Sequence, residues 1–432
     1  MDFAAAIQAM ESAPQDKTGP RQRPEPLAIT GTGLVTCLGR GVRANWEALC
    51  SGRSGLGPIS SFDVGGYPVK DAGEPPPLEP EALAAFPREI SPLAWLVEAC
   101  REALGQAGPG PKGPERTALI VGSSLASSLP SESFFRTLID QGPDGADYRS
   151  LEGYYIEDHL ARLALSLGIQ GPSFLVSNAC AAGASCIARA AECIRAGRVD
   201  RAVACGYDAL SPFTHAGFGS LFALTKSRLR PFGRGRDGML IGCGFAALVL
   251  ERSDGARRAG HAVRGLLAGY GESADAHHLT HPHPEGFGAA LAMRRALGMA
   301  GIGPGDINYI NCHATATPSN DAAEAKALQA VFGDCLPGIP LNASKPNVGH
   351  TLGAAGTVEA VVTLQVLGSQ FVPPTLNMED PEPDLRGLDF VPRGRPARVR
   401  YAMSNSFGFG GCNASLVFEA AGASPGGERI HG

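Results

Sequence analysis

The sequence has little charge, few aromatic residues and no cysteine pair of the CxxC type. Of its 432 residues, 18% are charged and 6% are aromatic, whereas 44% are hydrophobic. This balance is that of a globular protein rather than a disordered one. The formal net charge is −5 and no basic stripe with interleaved aromatics is present. Both features argue against a nucleic-acid-binding protein.

Two further absences concern the cellular compartment. No apolar run approaches the ~18 residues that a membrane span needs, and residues 1–26 lack the basic start and apolar stretch of a signal peptide. The 11 cysteines are scattered without a disulfide framework, which is typical of reduced thiols. We therefore expect a cytoplasmic location, with neither a membrane nor a nucleic acid as partner.

Predicted strands and helices alternate along most of the chain. One round of alternation spans residues 27–262, and a second round of comparable content spans 263–420. This alternation predicts an α/β fold with a largely parallel or mixed sheet. We expect two similar halves with these bounds, preceded by a flexible tail at 1–26 and followed by a short tail at 421–432.

One long segment interrupts the alternation. Residues 122–155 are rich in Ser, Gly and aromatic residues and show little regular periodicity, so we expect an irregular loop. Loops of this length inside compact domains are usually functional. The segment is therefore expected to line a pocket or an interface.

Cys180 lies at a predicted strand-to-helix junction. A buried strand ends at residues 174–177, and a helix over 181–196 opens with small residues and is followed by Gly197. A thiol placed here is near the positive end of the helix dipole, which is expected to lower its pKa from about 8.5 and favour the nucleophilic thiolate. The alternative is a small buried thiol, the commonest use of cysteine.

Three other sites share this placement just past a predicted strand end. They are His313, His350 and the glycine-rich turn 408–411. Catalytic groups concentrate at these ends in α/β sheets, although each histidine taken singly is compatible with a structural role. Together with Cys180, the sites supply a nucleophile, two groups that titrate near neutrality and a backbone N–H for a reacting oxygen.

Four histidines crowd a single loop near the start of the second half. They occupy positions 277, 278, 281 and 283. Their spacing matches no helical zinc motif and no cysteine pair joins them. We therefore predict no metal site in this loop.

The motifs around these sites closely resemble those of β-ketoacyl-[acyl-carrier-protein] synthases, which include type II elongating enzymes and polyketide ketosynthases. The resemblance runs from about Leu27 to Phe418. The segments that carry it are Ala179-Cys180 with its small-residue helix, Arg236-Asp237-Gly238, 271–280, 311–318 with Asn320, Asp321 and Glu324, Lys345 with 349–356, and 404–411.

The resemblance implies a thiolase-like fold, a five-layer αβαβα sandwich of two similar halves, usually as a homodimer. It implies decarboxylative Claisen condensation of an acyl-cysteine with malonyl-acyl-carrier-protein, giving 3-oxoacyl-acyl-carrier-protein in fatty acid or polyketide biosynthesis. The partner is then acyl carrier protein, and a heterodimer with a related subunit is the alternative assembly. No redox or nucleotide cofactor is required, because the substrates arrive on phosphopantetheine.

The resemblance also implies roles for catalytic residues. Cys180 carries the acyl chain, and His313 and His350 serve decarboxylation and condensation. Lys345 orients the site through a hydrogen-bond network with Glu324.

Further positions match the oxyanion hole and the binding sites of the family. The backbone N–H groups of Cys180 and Phe409 are expected to form the oxyanion hole, with Phe409 also gating the acyl pocket. Thr315 and Thr317 are expected to meet the phosphopantetheine arm. Some relatives hold a structural monovalent cation, Na⁺ or K⁺, and the matching oxygen-bearing positions are Asn311, Glu359, Ser404 and Asn405.

Two looser alignments concern docking and pocket depth. Lys226, Arg228 and Arg230 align with a docking region for the acidic carrier protein, although an ordinary solvated basic turn would look the same. Ser131 falls where relatives use residue size to limit pocket depth, in a gapless alignment of 122–132. The alternative is a loop serine far from the acyl chain.

The chain departs from the family pattern without losing a catalytic group. Ala314 replaces a usual glycine, Cys412 a common threonine and Gly233 a usual aspartate, and Cys243 lies between glycines that often flank an acidic residue. These changes indicate a divergent branch. A secondary-metabolism enzyme is therefore as well supported as a housekeeping one.

Two other functions share most of these motifs. A chain-length factor is a non-elongating partner subunit that resembles the synthases, but such subunits typically lack the cysteine that this chain keeps. A coenzyme A-dependent thiolase-like acyltransferase uses a second cysteine as base, for which Cys412 is a candidate. The pair His313 and His350 favours the decarboxylative synthases over both.

Overall fold

The computed structural model describes residues 23–111, 113–126 and 128–422. Most of the tail predicted at 1–26 and most of the tail predicted at 421–432 lie outside these residues. The helices, α1 to α12 in chain order, are Val42–Cys50, Pro80–Leu83, Leu93–Ala107, Ser128–Gln141, Ile156–Leu167, Ala182–Arg195, Pro212–Ser220, Ser253–Arg258, Phe287–Ala300, Pro318–Phe332, Lys345–Val348 and Ala355–Ser369. The strands, β1 to β15, are Leu27–Thr36, Gly39–Arg40, Gly57–Pro58, Asp71–Ala72, Thr117–Gly122, Ser173–Val176, Arg201–Asp208, Gly244–Arg252, Gly265–Ala274, Ile307–Asn311, Leu341–Asn342, Phe371–Val372, Arg395–Pro396, Tyr401–Gly408 and Cys412–Glu419.

Strands from both predicted halves join one mixed sheet. Its order is β11-β10-β14-β15-β9-β1-β8-β7-β5-β6, with β2 paired to the end of β1. Strand β5 is parallel to β6 and β7, and β10 is parallel to β11 and β14. The halves meet where residues 27–29 of β1 pair with residues 265–267 of β9. The mixed α/β sheet confirms the predicted fold class.

The helices divide the strands into five layers. Helices α6 and α12 lie side by side in the middle, because each contacts strands of both halves. Helices α3 and α5 cover the outer face of the first half, and α9 and α10 cover that of the second. Three buried apolar clusters fill the central layer and the two outer interfaces. This arrangement confirms the predicted αβαβα sandwich.

Small residues let the two central helices touch backbone to backbone. A Cβ added at Gly356 would lie 2.2 Å from the backbone nitrogen of Ala184, and one added at Gly183 would lie 2.7 Å from that of Thr357. No side chain fits into these gaps. The small-residue start of the predicted 181–196 helix is thus required by the central layer as well as by the site.

Helix α12 corrects the expectation about long apolar runs. The 18-residue helical stretch Leu352–Ser369 is long and apolar enough to cross a membrane, but 83% of it is buried within the protein. Its apolar composition is explained by its place between the two groups of strands, where all its faces meet other elements. It is a core helix.

Two local predictions were wrong. Residues 128–141 of the segment expected to be irregular form helix α4, in which Pro130 is the one fully buried residue. With so little burial, the helix leaves no clear apolar stripe in the sequence. The strand before Cys180, β6, is half-buried rather than buried, because it forms an edge of the sheet.

Candidate active site

A left-handed residue sets the position of Cys180 between β6 and α6. Ala179 has φ 52, a conformation that costs a non-glycine residue about 1 kcal/mol. It turns the chain so that Cys180 precedes the central helix, with 8% of its surface exposed. The turn after β14 also reaches this point, since a Cβ on Gly408 would lie 2.9 Å from the Cys180 nitrogen. Only glycine permits that approach.

His350 is in direct contact with the Cys180 sulfur. Its Nε2 lies 3.1 Å from Sγ, while its Nδ1 accepts a hydrogen bond from the backbone N–H of Leu352 at 3.3 Å. An imidazole nitrogen that accepts carries no proton, so the proton of neutral His350 is on Nε2. His350 therefore presents an N–H donor to the cysteine.

His313 is arranged in the same way by Lys345. The Lys345 Nζ lies 3.4 Å from Nδ1 of His313 and also donates to the His313 carbonyl. An ammonium can only donate, so the proton of His313 is on Nε2. The imidazole rings of His313 and His350 pack edge to face, with 5.2 Å between their centroids. The site thus holds two N–H donors from separate strand ends.

Both histidines are neutral at pH 7. Burial lowers the pKa of His313 and of His350 well below the ordinary value, and the Lys345 charge lowers both pKa values further. Lys345 is itself buried and paired with Glu359, with 2.5 Å between Nζ and Oε1. The ion pair thus keeps the Lys345 ammonium behind the two imidazoles, which stay unprotonated at their second nitrogen.

Glu324 acts on the backbone rather than on Lys345. Its two carboxylate oxygens accept the N–H groups of His313 and Ala314, each at 2.7 Å. The predicted network between Lys345 and Glu324 therefore passes through the His313 peptide. Ala314, which replaces a family glycine, has φ 44, and the bonds to Glu324 hold it in that strained conformation. Burial raises the pKa of Glu324 to about 8.

The predicted lowering of the Cys180 pKa was wrong. Burial raises the pKa of this thiol to about 12, although the Lys345 charge and a hydrogen bond from the Phe409 backbone N–H act in the opposite direction. Desolvation of a thiolate outweighs the favourable groups because the sulfur is enclosed. The sequence revealed the helix end but not the depth of burial.

A cavity of about 360 Å³ leads to these groups. Its walls include Cys180, both histidines, Phe409, Thr315 and Thr317. The two threonine hydroxyls are hydrogen-bonded to each other at 2.9 Å. The Phe409 ring packs against Phe218 of α7, with 5.7 Å between centroids. A thiol, two imidazole donors and a backbone N–H thus converge in one cleft.

The matches to known proteins agree with this geometry. The family model described as "Beta-ketoacyl synthase, N-terminal domain" matches residues 24–256. The model described as "Beta-ketoacyl synthase, C-terminal domain" matches residues 264–379. The chain belongs to the β-ketoacyl synthase family.

Relatives of this ketosynthase occur among curated proteins and solved structures. It is 33% identical over 408 residues to 3-oxoacyl-[acyl-carrier-protein] synthase 2 of Vibrio cholerae, covering 91% of this chain and 98% of that protein. The structure of the ishigamide ketosynthase/chain length factor matches with a TM-score of 0.85 and 32% identity, covering 92% and 100% of the two chains. A type II polyketide synthase acyl-carrier protein in complex with its ketosynthase matches at 0.84 and 28% identity, covering 92% and 100%.

Not all predicted site residues of the ketosynthase lie at the cysteine. Ser131, on α4, lines a second cavity of about 900 Å³. Lys226 and Arg228 are exposed and Arg230 is half-buried, in the loop that follows α7. These three basic residues do not line the cavity that holds Cys180. Their roles stay predictions.

The histidine loop is on the rim of the active-site cavity. His281 lines the cavity, and its Nδ1 lies 3.2 Å from Nδ1 of His278. Among the residues that the structure describes, the one cluster of three potential metal ligands within 4.8 Å is Cys180, His313 and His350. The loop histidines form pairs and not a larger cluster.

The four residues implied for a structural cation are all buried, on strands β10 and β14 and on helix α12. Among the described residues, the Asn311 side-chain amide has no hydrogen-bond partner for either atom, and Oε2 of Glu359 has none. Asn405 accepts a hydrogen bond from Ser415 at 2.8 Å, and Ser404 is buried on the same strand. Unpaired buried oxygens are costly unless they bind something, so this set fits a hard cation.

Sequence reasoning missed Asp208, a buried carboxylate at the end of β7. It accepts hydrogen bonds from Ser123 Oγ at 2.6 Å, from the backbone of residues 124–125, and from the Gly353 N–H at 2.6 Å. Burial raises its pKa to about 6. Asp208 thereby ties the loop after His350 to the turn whose Ser124 hydroxyl donates to the Ala179 carbonyl. Its position at the end of an apolar strand was the available signal.

Proposed function

We propose that the chain catalyses decarboxylative Claisen condensation between an acyl-Cys180 thioester and malonyl-acyl-carrier-protein. The observation that carries this proposal is the convergence of two neutral Nε2–H donors on one cysteine, with 3.1 Å from His350 Nε2 to Sγ. Neutral donors stabilise a developing oxyanion without first having to lose or gain a proton.

Acyl transfer to the enzyme is the first half-reaction. The Cys180 sulfur attacks the carbonyl carbon of the acyl-carrier thioester, forming one C–S bond and then breaking the other. The carrier thiolate leaves and takes up the proton that Cys180 gave up. The backbone N–H groups of Cys180 and Phe409 are suited to receive the oxyanion, because the Phe409 N–H already donates to the sulfur.

Loss of CO₂ and condensation form the second half-reaction. The malonyl C–C bond breaks, CO₂ leaves, and the electron pair passes to the thioester oxygen as an enolate. His313 and His350 donate their Nε2–H groups to that oxygen. The enolate carbon attacks the acyl-Cys180 carbonyl, the bond to sulfur breaks, and a 3-oxoacyl product two carbons longer remains on the carrier.

A monovalent cation, Na⁺ or K⁺, belongs to the proposal as a structural element. Asn311, Glu359, Ser404 and Asn405 would hold it, supported by the unpaired amide of Asn311 and the free oxygen of Glu359. When bound, it would neutralise charge and hold β10, β14 and α12 together behind the site. No redox or nucleotide cofactor is part of this chemistry.

Acyl carrier protein and a second subunit are the proposed partners. Strand β6 forms a sheet edge, and exposed Phe135 and Ile139 lie on neighbouring α4 beside the larger cavity. An open edge and exposed apolar side chains favour pairing with another chain. In a homodimer, a second copy of this chain would cover both the β6 edge and the apolar side chains of α4. The cytoplasmic location stays a prediction.

A chain-length factor is the second candidate, favoured by one structural neighbour whose name pairs a ketosynthase with such a factor. The retained Cys180 with its histidine contact argues against it. Incubation of the pure protein with acyl- and malonyl-carrier proteins, followed by mass spectrometry, decides the matter. We expect an acylated enzyme and a product two carbons longer. An unacylated enzyme would support the partner subunit, and product formation from coenzyme A thioesters alone would support a thiolase-like enzyme.

A further inference from the structure

Helix α7 ends in a hydrogen-bond pattern that favours glycine. The Ala223 N–H donates to the Phe218 carbonyl and the Phe222 N–H to the Gly219 carbonyl, both at 3.1 Å. This pair defines a Schellman motif, whose penultimate residue is left-handed. That residue is Phe222, with φ 53. A phenylalanine here bears a steric cost that glycine avoids.

Other helices of the chain use glycine at the same place. Five further helices in the described ranges, α1, α5, α6, α8 and α9, end in the same pair of hydrogen bonds. Their left-handed residues have φ between 64 and 71. These residues are Gly52, Gly168, Gly197, Gly260 and Gly301. Among the six helix ends of this kind in the described ranges, the end of α7 is therefore the exception.

Stability of the folded chain does not explain the exception. At the end of α12, Gln370 is also left-handed, with φ 54, but its side-chain amide is hydrogen-bonded to the backbones of Leu367 and Val399 and so ties the helix end to the segment before β14. The side chain of Phe222 is 90% exposed. An outlier that the surrounding structure does not use points to a role in function.

Phe222 is located at the entrance to the active site. It lines the cavity that holds Cys180, together with Leu221, which is 49% exposed. Exposed Lys226 and Arg228 follow in the same loop. A second copy of the chain bound at Phe222 would block this entrance and prevent the substrate from entering. A carrier protein, in contrast, must cover the rim of the cavity while its arm delivers the thioester, so a carrier is the partner that this position fits.

We propose that Phe222, with Leu221, is an apolar docking contact for the carrier protein that delivers the thioester. This inference rests on the proposed function. The ring would pack on apolar side chains of the carrier next to the attachment point of its arm, while the basic loop residues attract its acidic surface. Aromatic anchors at the centre of an interface contribute most of its affinity, and apolar contacts are insensitive to salt.

Phe222→Gly separates docking from folding. We expect no loss of thermal stability, because glycine suits the left-handed position. We expect the KM for acyl-carrier protein, relative to the KM for the same acyl group on free pantetheine, to rise about tenfold, at both low and high salt. Phe222→Tyr keeps the ring and should keep the ratio. Gly168→Ala is the matched control, since it places a side chain at another left-handed helix end and should lower Tm without changing the ratio.

Several results would overturn the inference. One is an unchanged ratio in Phe222→Gly. Another is a changed oligomeric state in size-exclusion chromatography, which would assign the ring to a subunit interface. If the wild-type protein forms no product from either thioester, the proposed function fails instead. Calorimetric titration of holo-carrier protein then still decides the docking contact, because equal affinity of wild-type and Phe222→Gly would reject it.

Discussion

Lys345 and Glu359 form a buried ion pair behind the two histidines, with 2.5 Å between Nζ and Oε1. The same ammonium contacts Nδ1 and the carbonyl of His313. One lysine thus fixes the tautomer of a donor and depresses its pKa. Removing one partner of such a pair leaves the other charge buried and alone.

Lys345→Met is expected to change both stability and pH dependence. It should lower the free energy of unfolding by about 3–5 kcal/mol, because Glu359 loses its partner. The pKa values of His313 and His350, which Lys345 lowers in addition to burial, should rise. Protonation of the histidines abolishes the neutral donors, so the acid limb of the decarboxylation rate should move to higher pH. Urea unfolding and pH–rate profiles test this, and an unmoved acid limb in folded protein would contradict it.

Replacement of His313 or His350 by Ala should separate the two half-reactions. Acylation of Cys180 relies on backbone donors and should stay measurable, whereas CO₂ release should fall by about 10²–10³ because one enolate donor is lost. Single-turnover acylation and labelled-CO₂ release are measured on the same samples, with circular dichroism as the folding control. Equal loss of both half-reactions would refute this division of roles.

Cys180 should be the one acylated thiol, yet alkylate slowly at neutral pH. Its pKa is raised to about 12 by burial, so the thiolate fraction should grow roughly tenfold per pH unit from pH 7 to 9. Peptide mass spectrometry after treatment with acyl-carrier protein and, separately, iodoacetamide measures both properties. Exposed Cys335 is an internal control. An acyl adduct on Cys243 or Cys412, or an alkylation rate of Cys180 that levels off below pH 8, would contradict the prediction.

The basic loop should act by charge. Lys226→Glu with Arg228→Glu is expected to raise the KM for carrier-bound substrate, and more so at low salt, because exposed charges are screened by ions. Arg257→Glu, an exposed change on α8, is the control. Steady-state kinetics at two salt concentrations provide the measurement. If the KM of the double variant at low salt equals that of the control, the loop does not take part in carrier-protein docking.

Ser131→Phe should shorten the longest acyl primer that is accepted. The serine lines the cavity of about 900 Å³, and a phenyl ring there would remove volume from it. Competition among acyl-carrier proteins of increasing chain length measures the primer profile, with Ser131→Ala as the size-matched control. An unmoved profile would show that this cavity does not receive the acyl chain.

Much of the architecture could be predicted from local pattern. Helix α6 and the strand before it, β6, lie close to their predicted bounds, because apolar runs and glycine ends act over a few residues. The four chemical sites past strand ends were also predictable, and the structure brings Cys180, His313, His350 and Phe409 into one cavity. The resemblance of the motifs to those of β-ketoacyl-[acyl-carrier-protein] synthases then indicated which reaction these groups serve.

Other properties depend on distant parts of the chain. Burial of Cys180 comes from the second half, through Gly408 and His350, so the sign of its pKa shift could not be derived from the helix end alone. The choice of Glu359 rather than Glu324 as partner of Lys345 depends on how α12 packs against the strands. Helix α4 lies at the surface and buries almost no apolar face, so its sequence has no helical periodicity from which it could be predicted.

The amino-acid sequence by itself determined the elements, the chemical groups at strand ends and the family. Only the tertiary structure decided which charges pair, which thiol is desolvated and which ring is left exposed at the cavity mouth. The physical reason is range: the side-chain periodicity that marks a helix or a strand depends on near neighbours in the sequence, whereas desolvation and ion pairing are set by whichever groups the completed fold encloses.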